Sequence, residues 1–276
     1  VTQALAQTHT REVWEFGAGS GALALQLIET LGPALDHYHI VDLSGSLRQR
    51  QQQTLRAHLH KVSWHDQWPE QMQGVVVGNE LLDAMPVQLL WRQSGVWHER
   101  GVAWHDGLVW QDRPTDLRPG FAVEGSHDYQ TEIHLQGDAF VRTIAQHLQQ
   151  GAAFFIDYGF TEAEYYHPQR HMGTVVCHRA HQMDSNPLAE VGLKDITAHV
   201  NFTGVALAAQ DAGLEVLGYT SQARFLINAG LPALMATASL QARAHAQKLI
   251  LEHEMGELFK VIGLAKGWDP ASLVSP

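Results

Sequence analysis

The run Glu15-Phe16-Gly17-Ala18-Gly19-Ser20-Gly21 sets three glycines at alternate positions behind an acidic residue. Glycine tolerates backbone conformations closed to other residues. A run of this kind between a strand and a helix therefore makes a cradle in which a ligand can approach the main chain. Dinucleotide cradles are spaced G-x-G-x-x-G and rest a pyrophosphate on the helix N-terminus. The spacing here is G-x-G-x-G, which suits S-adenosylmethionine, a cofactor without phosphate whose methionine half carries an ammonium for Glu15 to hold. Gly17, Ala18, Gly19 and Gly21 are the candidate contacts, and an ordinary strand–helix turn is the alternative. Asp42, roughly 20 residues past the glycines, closes the next strand where a carboxylate can accept both ribose hydroxyls. It is followed by Leu43 and Ser44, and finding it together with the glycines and Glu15 weakens the alternative. His65-Asp66 closes a third strand where an adenine would be read, and a solvated turn explains that pair equally well.

A second constellation, Gly78-Asn79-Glu80-Leu81-Leu82-Asp83-Ala84-Met85-Pro86, follows the β-branched run Val75-Val76-Val77. In open α/β sheets substrates bind outside the carboxyl ends of the strands. If Glu80–Asp83 forms one helical turn, residues three apart share a face, and two carboxylates with Asn79 converge on a reacting atom. The competing reading makes them first-turn charges that stabilise a helix dipole. Asp157-Tyr158-Gly159 ends a fifth strand in the same manner. His171, Cys177, His178 and His181 fit no zinc spacing, so no metal site is assigned. Neither a Gly-x-Ser-x-Gly elbow nor a phosphate-loop lysine is present.

These groups need a scaffold of alternating strands and helices. Arg11–Phe16, His37–Leu43, Lys61–Trp64, Gly74–Gly78 and Ala152–Asp157 read as buried strands of a parallel, doubly wound sheet. Ala22–Leu31 reads as an apolar helix ended by Gly32-Pro33, and Ser44 caps a polar helix running to about His60. Val87–Trp91, Gly95–Trp104 and Leu108–Trp110, joined at Ser94-Gly95 and Asp106-Gly107, predict an inserted β-meander whose tryptophans pack internally. Asp138–Gln150, Gly204–Ala212 and Gln241–Glu257 read as helices, Leu214–Tyr219 and Phe259–Leu264 as strands, and Tyr158–Phe202 as irregular. The chain has 276 residues, 45% of them hydrophobic, which is ample for a buried core. With 18 basic against 29 acidic residues its formal charge is −11, which opposes phosphate backbones and anionic membranes, so nucleic acid is not expected as a partner. No apolar run reaches the length of a membrane span, so no membrane insertion is expected. The single cysteine, Cys177, excludes an intramolecular disulfide.

Glu15–Gly21, Gly78–Val87, Asp157-Tyr158-Gly159 and Asp195-Ile196-Thr197-Ala198-His199-Val200 together strongly resemble the MidA-like family of S-adenosylmethionine-dependent methyltransferases. The segment from Gly173-Thr174 to Asn186-Pro187-Leu188 adds to the likeness, which spans essentially the whole chain. The mitochondrial member of that family is a complex I assembly factor that methylates an arginine of a core subunit. The resemblance implies a class I methyltransferase fold, Rossmann-like, with a seven-stranded, mostly parallel sheet whose last strand is antiparallel. It also implies C-terminal α+β elaborations on the substrate side. The chain is read as one domain over residues 1–276, lacking its native N-terminus, with insertions at about 86–135 and 158–202. Glu80 and Asp83 are the candidate catalytic residues, with Asp157 and His199 as second choices, and Asn79 and Glu80 also border the cofactor. Asn201 stands where the family commonly has Asp. The implied partner is a protein substrate, a complex I core subunit, in the cytoplasm of a bacterium or the mitochondrial matrix of a eukaryote. A cofactor-binding assembly chaperone without catalysis, a methyltransferase with another acceptor, and a nicotinamide dehydrogenase (disfavoured by the glycine spacing) are the alternatives.

Overall fold

Strands rich in β-branched and aromatic residues alternate with helices over most of the first 80 residues, and the computed structural model follows that pattern. It describes residues 1–179 and 182–267. In chain order, the helix α1 (Thr2–Thr8) precedes β1 (Glu12–Phe16), α2 (Ala22–Leu31), β2 (His37–Val41), α3 (Gly45–Thr54), β3 (Val62–His65) and β4 (Met72–Asn79). Next come β5 (Gln88–Gln93), β6 (Val96–Trp104), β7 (Leu108–Pro114), β8 (Tyr129–Ile133), α4 (Leu135–His147), β9 (Leu148–Phe160) and α5 (Glu162–Tyr165). The chain continues through β10 (Val176–Arg179), β11 (Gln182–Asp184), β12 (Asp195–Thr197), β13 (Val200–Asn201) and α6 (Phe202–Asp211). Last are β14 (Glu215–Ser221), α7 (Gln222–Asn228), α8 (Leu231–Thr237), α9 (Leu240–Ile250) and β15 (Phe259–Lys266).

Residues group into two compact units: 1–81, 141–157 and 209 onward form the first, and 82–140 with 158–208 the second. The segments expected as insertions lie within the second.

The first unit holds seven strands in the order β14-β15-β9-β4-β1-β2-β3. The pairs β4–β9, β1–β4, β1–β2 and β2–β3 are parallel, so their carboxyl ends share one edge. β15 runs antiparallel to β14. On one face Val13, Ile40, Val62, Val75 and Val77 pack against Leu5 of α1, against Ala24, Ile28 and Leu31 of α2, and against Leu55. Ala24, Ile28 and Leu31 recur at i, i+4 and i+7, the stripe that lets one helix face enter a core. Ile28 and Leu31, both buried, contribute roughly 1.5–3 kcal/mol each.

The second unit contains an antiparallel sheet, β7-β6-β5-β8, and a smaller one, β11-β10-β12. Ser94-Gly95 and Asp106-Gly107 all have positive φ, the conformation of tight hairpin turns. The tryptophans of this meander are not all internal: Trp104 is 72% exposed and Trp110 38%. Trp91 and Trp97 are partly covered, with Arg100 over Trp91 and Arg92 over Trp97.

Several expectations need correction. The helix after Ser44 stops at Thr54 rather than near His60, because Leu55 is fully buried and its side chain joins the core. The helix expected at Gln241–Glu257 ends at Ile250 and gives way to a kinked turn, with Glu254 out of helical geometry. Tyr158–Phe202 is not irregular but carries α5 and β10–β13. α1, α7, α8 and β8 had no counterpart in the sequence reading. Among the described residues no helix is long and apolar enough to cross a membrane.

Candidate active site

β1 delivers the chain into a turn in which Gly17, Gly19 and Gly21 take φ of 71°, 52° and 80°. Only glycine adopts this left-handed region without strain. A Cβ on Gly17 would lie 3.0 Å from Leu81 Cδ1, and one on Gly21 would lie 3.3 Å from Gln51 Cα. At Gly19 nothing lies within 4 Å, so the middle of the loop faces open space. Ala18 is buried, and its carbonyl accepts from Gly21 N at 2.8 Å, closing the turn into α2.

Beneath the loop Glu15 is 3% exposed, and its Oε2 accepts from Tyr38 OH at 2.7 Å. Burial pushes its carboxyl up to about 7, with the Tyr38 hydrogen bond opposing the rise. Asp42 Oδ1 accepts from Ser44 N and Oδ2 from Gln51 Nε2, both at 2.9 Å. Asp42 N donates to His65 O at 3.0 Å, tying the ends of β2 and β3 together. Leu43 is 86% exposed beside it, and Ser44 caps α3 by accepting from Leu47 N at 3.3 Å. His65 Nε2 lies 3.0 Å from His39 Nδ1, and burial holds its imidazole below the ordinary range. Asp66 is exposed. Glu15, the three glycines, Asp42, Leu43, Ser44, His65 and Asp66 thus lie along the carboxyl edge of β1, β2 and β3.

The turn after β4 is not helical. Glu80 has φ of 49°, a left-handed conformation costing a non-glycine residue of order 1–3 kcal/mol, and such strain clusters at functional sites. Two bonds hold it: Glu80 N donates to Ile156 O at 2.9 Å, and Leu81 N donates to Asp157 Oδ2 at 3.0 Å. Asn79 Nδ2 lies 3.3 Å from Glu80 Oε1, and the Glu80 side chain is exposed. Asp157, with no exposed surface, supports this turn through its carboxylate. The helical reason for grouping Glu80 with Asp83 therefore fails.

Asp83 and His199 belong to the second unit. Asp83 is buried, its carbonyl accepts from Ala198 N at 2.9 Å, and it lines a cavity of about 340 Å³ with Met85, Val87, Trp110 and Ile196. His199 stacks on Phe160 at 5.1 Å with the rings 7° from parallel. Its N–H donates to Thr174 Oγ1 at 3.0 Å, and burial followed by the Arg170 charge holds its imidazole low. Buried Asn201 accepts from Gly204 N at 3.2 Å, a local turn role. Among the described residues no group of three or more His, Cys, Asp or Glu is placed to hold a metal, and His181 lies outside them.

Three residues make buried bonds that the sequence does not single out: Tyr38 to Glu15, Gln51 to Asp42, and Glu132 to Tyr165 and Thr174 in the second unit. Tyr38 carries a faint signal, since it falls at an inward position of β2. Gln51 and Glu132 carry none.

A sheet of this order and a glycine turn after its first strand, with an acid closing the second, define a class I methyltransferase fold. Residues 1–220 match a family described as "Putative S-adenosyl-L-methionine-dependent methyltransferase", and the chain belongs to that family. A Burkholderia thailandensis protein bound to S-adenosyl-homocysteine superposes with a TM-score of 0.91 at 48% identity, over 98% of this chain and 75% of that one. A native structure from the same organism gives 0.91 and 49%, over 98% and 77%. No curated protein matches the chain. The MidA-like resemblance of its motifs agrees with the family match, and its cofactor is S-adenosylmethionine. The residues fit that group: an open glycine loop, a buried carboxylate for an ammonium and a post-strand carboxylate for ribose hydroxyls.

Proposed function

We propose that this methyltransferase modifies an arginine side chain of a protein, the acceptor being a core subunit of respiratory complex I. The observation that carries the reading is the Glu80 turn. An exposed carboxylate is held in a strained conformation by Ile156 and Asp157, with the adjoining Leu81 packed on the glycine loop. Choice of arginine and of complex I rests on the MidA-like resemblance. On that resemblance the protein works in the bacterial cytoplasm or the mitochondrial matrix.

S-adenosylmethionine, when bound, supplies an electrophilic methyl group on a sulfonium. Glu15 and Asp42 would hold its two ends, and the backbone of Gly17 to Gly21 would admit it. A guanidinium is a poor nucleophile, since its pKa is about 12 or higher and its lone pairs are delocalised. Glu80 accepts hydrogen bonds from the guanidinium fork, draws positive charge away from the attacking nitrogen and takes its proton. Asp157 acts through Leu81, fixing where that carboxylate stands. Asp83 and His199 of the second unit are further candidates.

The test is mass spectrometry of complex I subunits from cells lacking the gene, complemented with wild type or with Glu80→Gln. An arginine methyl mark that disappears and returns only with wild type is expected. Purified Glu80→Gln should lose about two orders of magnitude in methyl transfer while its S-adenosyl-homocysteine affinity stays within twofold. A mark restored fully by Glu80→Gln would overturn the role of Glu80 and favour a non-catalytic assembly chaperone or a different base. A mark on another residue type would overturn the choice of arginine.

A further inference from the structure

α3, Gly-Ser-Leu-Arg-Gln-Arg-Gln-Gln-Gln-Thr, has no apolar stripe to bury, and its only buried side chain is Gln51, which has no exposed surface. A buried amide is costly unless all its hydrogen-bonding groups are met. Here Gln51 Nε2 donates to Gly19 O at 3.1 Å and to Asp42 Oδ2 at 2.9 Å, and Gln51 Oε1 accepts from Trp64 Nε1 at 3.0 Å. Chemistry fixes the orientation of the amide. An indole N–H only donates, whereas a carbonyl and a carboxylate only accept, so one flip state satisfies all three partners. Glutamate would set an acceptor against two acceptors, and leucine would leave three groups unpaired. The Gln51 Cα also lies only 3.3 Å from where a Cβ on Gly21 would stand, so helix and loop meet closely.

From this geometry we infer that Gln51 is the positioning residue of the cofactor cradle. It joins the middle of the glycine loop to the ribose acid and presets the Asp42 carboxylate, so that the lone pairs not used by Ser44 and Gln51 are available to the ribose hydroxyls. The inference rests on the reading of Asp42 and the glycines as cofactor contacts.

The experiment is calorimetric titration of the full chain with S-adenosyl-homocysteine, expressed as the ratio of each variant's Kd to wild type at every pH from 8 to 5.5. Taking the ratio removes titration common to both proteins, including that of Glu15. Gln51→Glu should bind about 10- to 100-fold more weakly at pH 8, since a donor to a charged group is replaced by a like charge. The ratio should then fall back toward one on acidification, because the introduced carboxyl, with its pKa raised beside Asp42, protonates and supplies the missing donor. A merely structural lesion does not recover in acid. Trp64→Phe, which frees the amide to turn, should weaken binding about threefold at all pH values. A Gln51→Glu ratio within twofold of one at pH 8, or a loss unrelieved at pH 5.5, overturns the positioning role. If Gln51→Glu does not fold, Trp64→Phe decides, and unchanged affinity there overturns the proposal. Unchanged affinity in Asp42→Ala would instead overturn the cradle reading on which it rests.

Discussion

Glu15 in the first unit and Glu132 in the second are both strand glutamates shut away from water, 3% and 0% exposed. Their surroundings differ. Around Glu132, Tyr165 OH, Thr174 N, Thr174 Oγ1 and Val175 N all donate to the carboxylate at 2.9–3.2 Å. Gly173, at φ of 73°, makes room for this closure, since a Cβ there would lie 2.2 Å from Glu132 Oε1. The network continues to His134, whose Nε2 lies 3.1 Å from Tyr165 OH and whose imidazole burial pushes down to about 4. Glu15 has Tyr38 OH alone among the described residues. Burial raises both carboxyls, but only one has its charge fully solvated by protein donors. A saturated buried carboxylate organises the chain around it, whereas we propose that the unsaturated one at the carboxyl edge of the sheet serves a cationic ligand.

If that contrast is right, removing charge has opposite effects at the two positions. The largest effect is expected for Glu132→Gln. The amide keeps one acceptor oxygen, which serves Thr174 N and Val175 N, but its NH2 group replaces the oxygen to which the Tyr165 and Thr174 hydroxyls donate, so both hydroxyls must turn to accept and the charge-assisted bonds are lost. Unfolding free energy should fall by about 3 kcal/mol or more, measured by urea titration at pH 7. A loss under about 1 kcal/mol would break the comparison, because the shell would then not be what the carboxylate is for.

The same exchange at Glu15 should stabilise. In the folded chain the carboxyl titrates near 7, above its ordinary value of 4.5, so between these pH values the folded state holds a proton that the unfolded state has released. Stability therefore falls as pH rises through that window, by roughly 3 kcal/mol at most, and the whole penalty is present above it. Glu15→Gln removes the penalty and still accepts from Tyr38. Its melting temperature should exceed wild type at pH 8 and match it near pH 4.5, while S-adenosyl-homocysteine binds about tenfold more weakly for want of a partner to its ammonium. A variant less stable at pH 8 would show that Glu15 is built into the fold as Glu132 is.

How far the sequence reached follows the same division. Local requirements were legible: three glycines that must take positive φ, a Val-Val-Val strand, Ser44 at a helix start, and Asp106-Gly107 in a hairpin. So was Asp42, because a strand end fixes where a side chain stands. Gln51 was not, because one amide in a run of glutamines shows neither a period nor a motif, and its partners Gly19 and Trp64 lie 32 and 13 residues away. Glu132 sits in Tyr-Gln-Thr-Glu-Ile, which reads as an ordinary alternating strand, and the Thr174 amide that saturates it lies 42 residues on. The left-handed turn at Glu80 was also invisible. Glutamate has no preference for that conformation, and it is imposed from Ile156 and Asp157 of a neighbouring strand. Pairings between distant polar groups leave no periodic trace in sequence, so the fold was read further than the bonding within the site.

The smallest effects come from the two tyrosines, and they sharpen the comparison most. Tyr38→Phe removes the one hydrogen bond that pulls the Glu15 carboxyl down, so that group should titrate above its present value of about 7. The alkaline loss of stability should then extend to higher pH, and at pH 7 a smaller share of Glu15 is ionised to meet an ammonium. S-adenosyl-homocysteine affinity relative to wild type should dip at pH 7 by a few-fold and recover toward pH 8.5. The stability change at pH 5, where Glu15 is protonated in both proteins, should be about 1 kcal/mol. Tyr165→Phe takes one donor of several from Glu132, along with the bonds to His134 and Thr174. It should cost about 1–2 kcal/mol in stability and leave the pH profile of ligand affinity unmoved. Calorimetry on the two variants in parallel reads this directly. A pH-dependent affinity in Tyr165→Phe, or a flat one in Tyr38→Phe, would mean that the number of hydrogen-bond donors does not separate the ligand-facing carboxylate from the structural one.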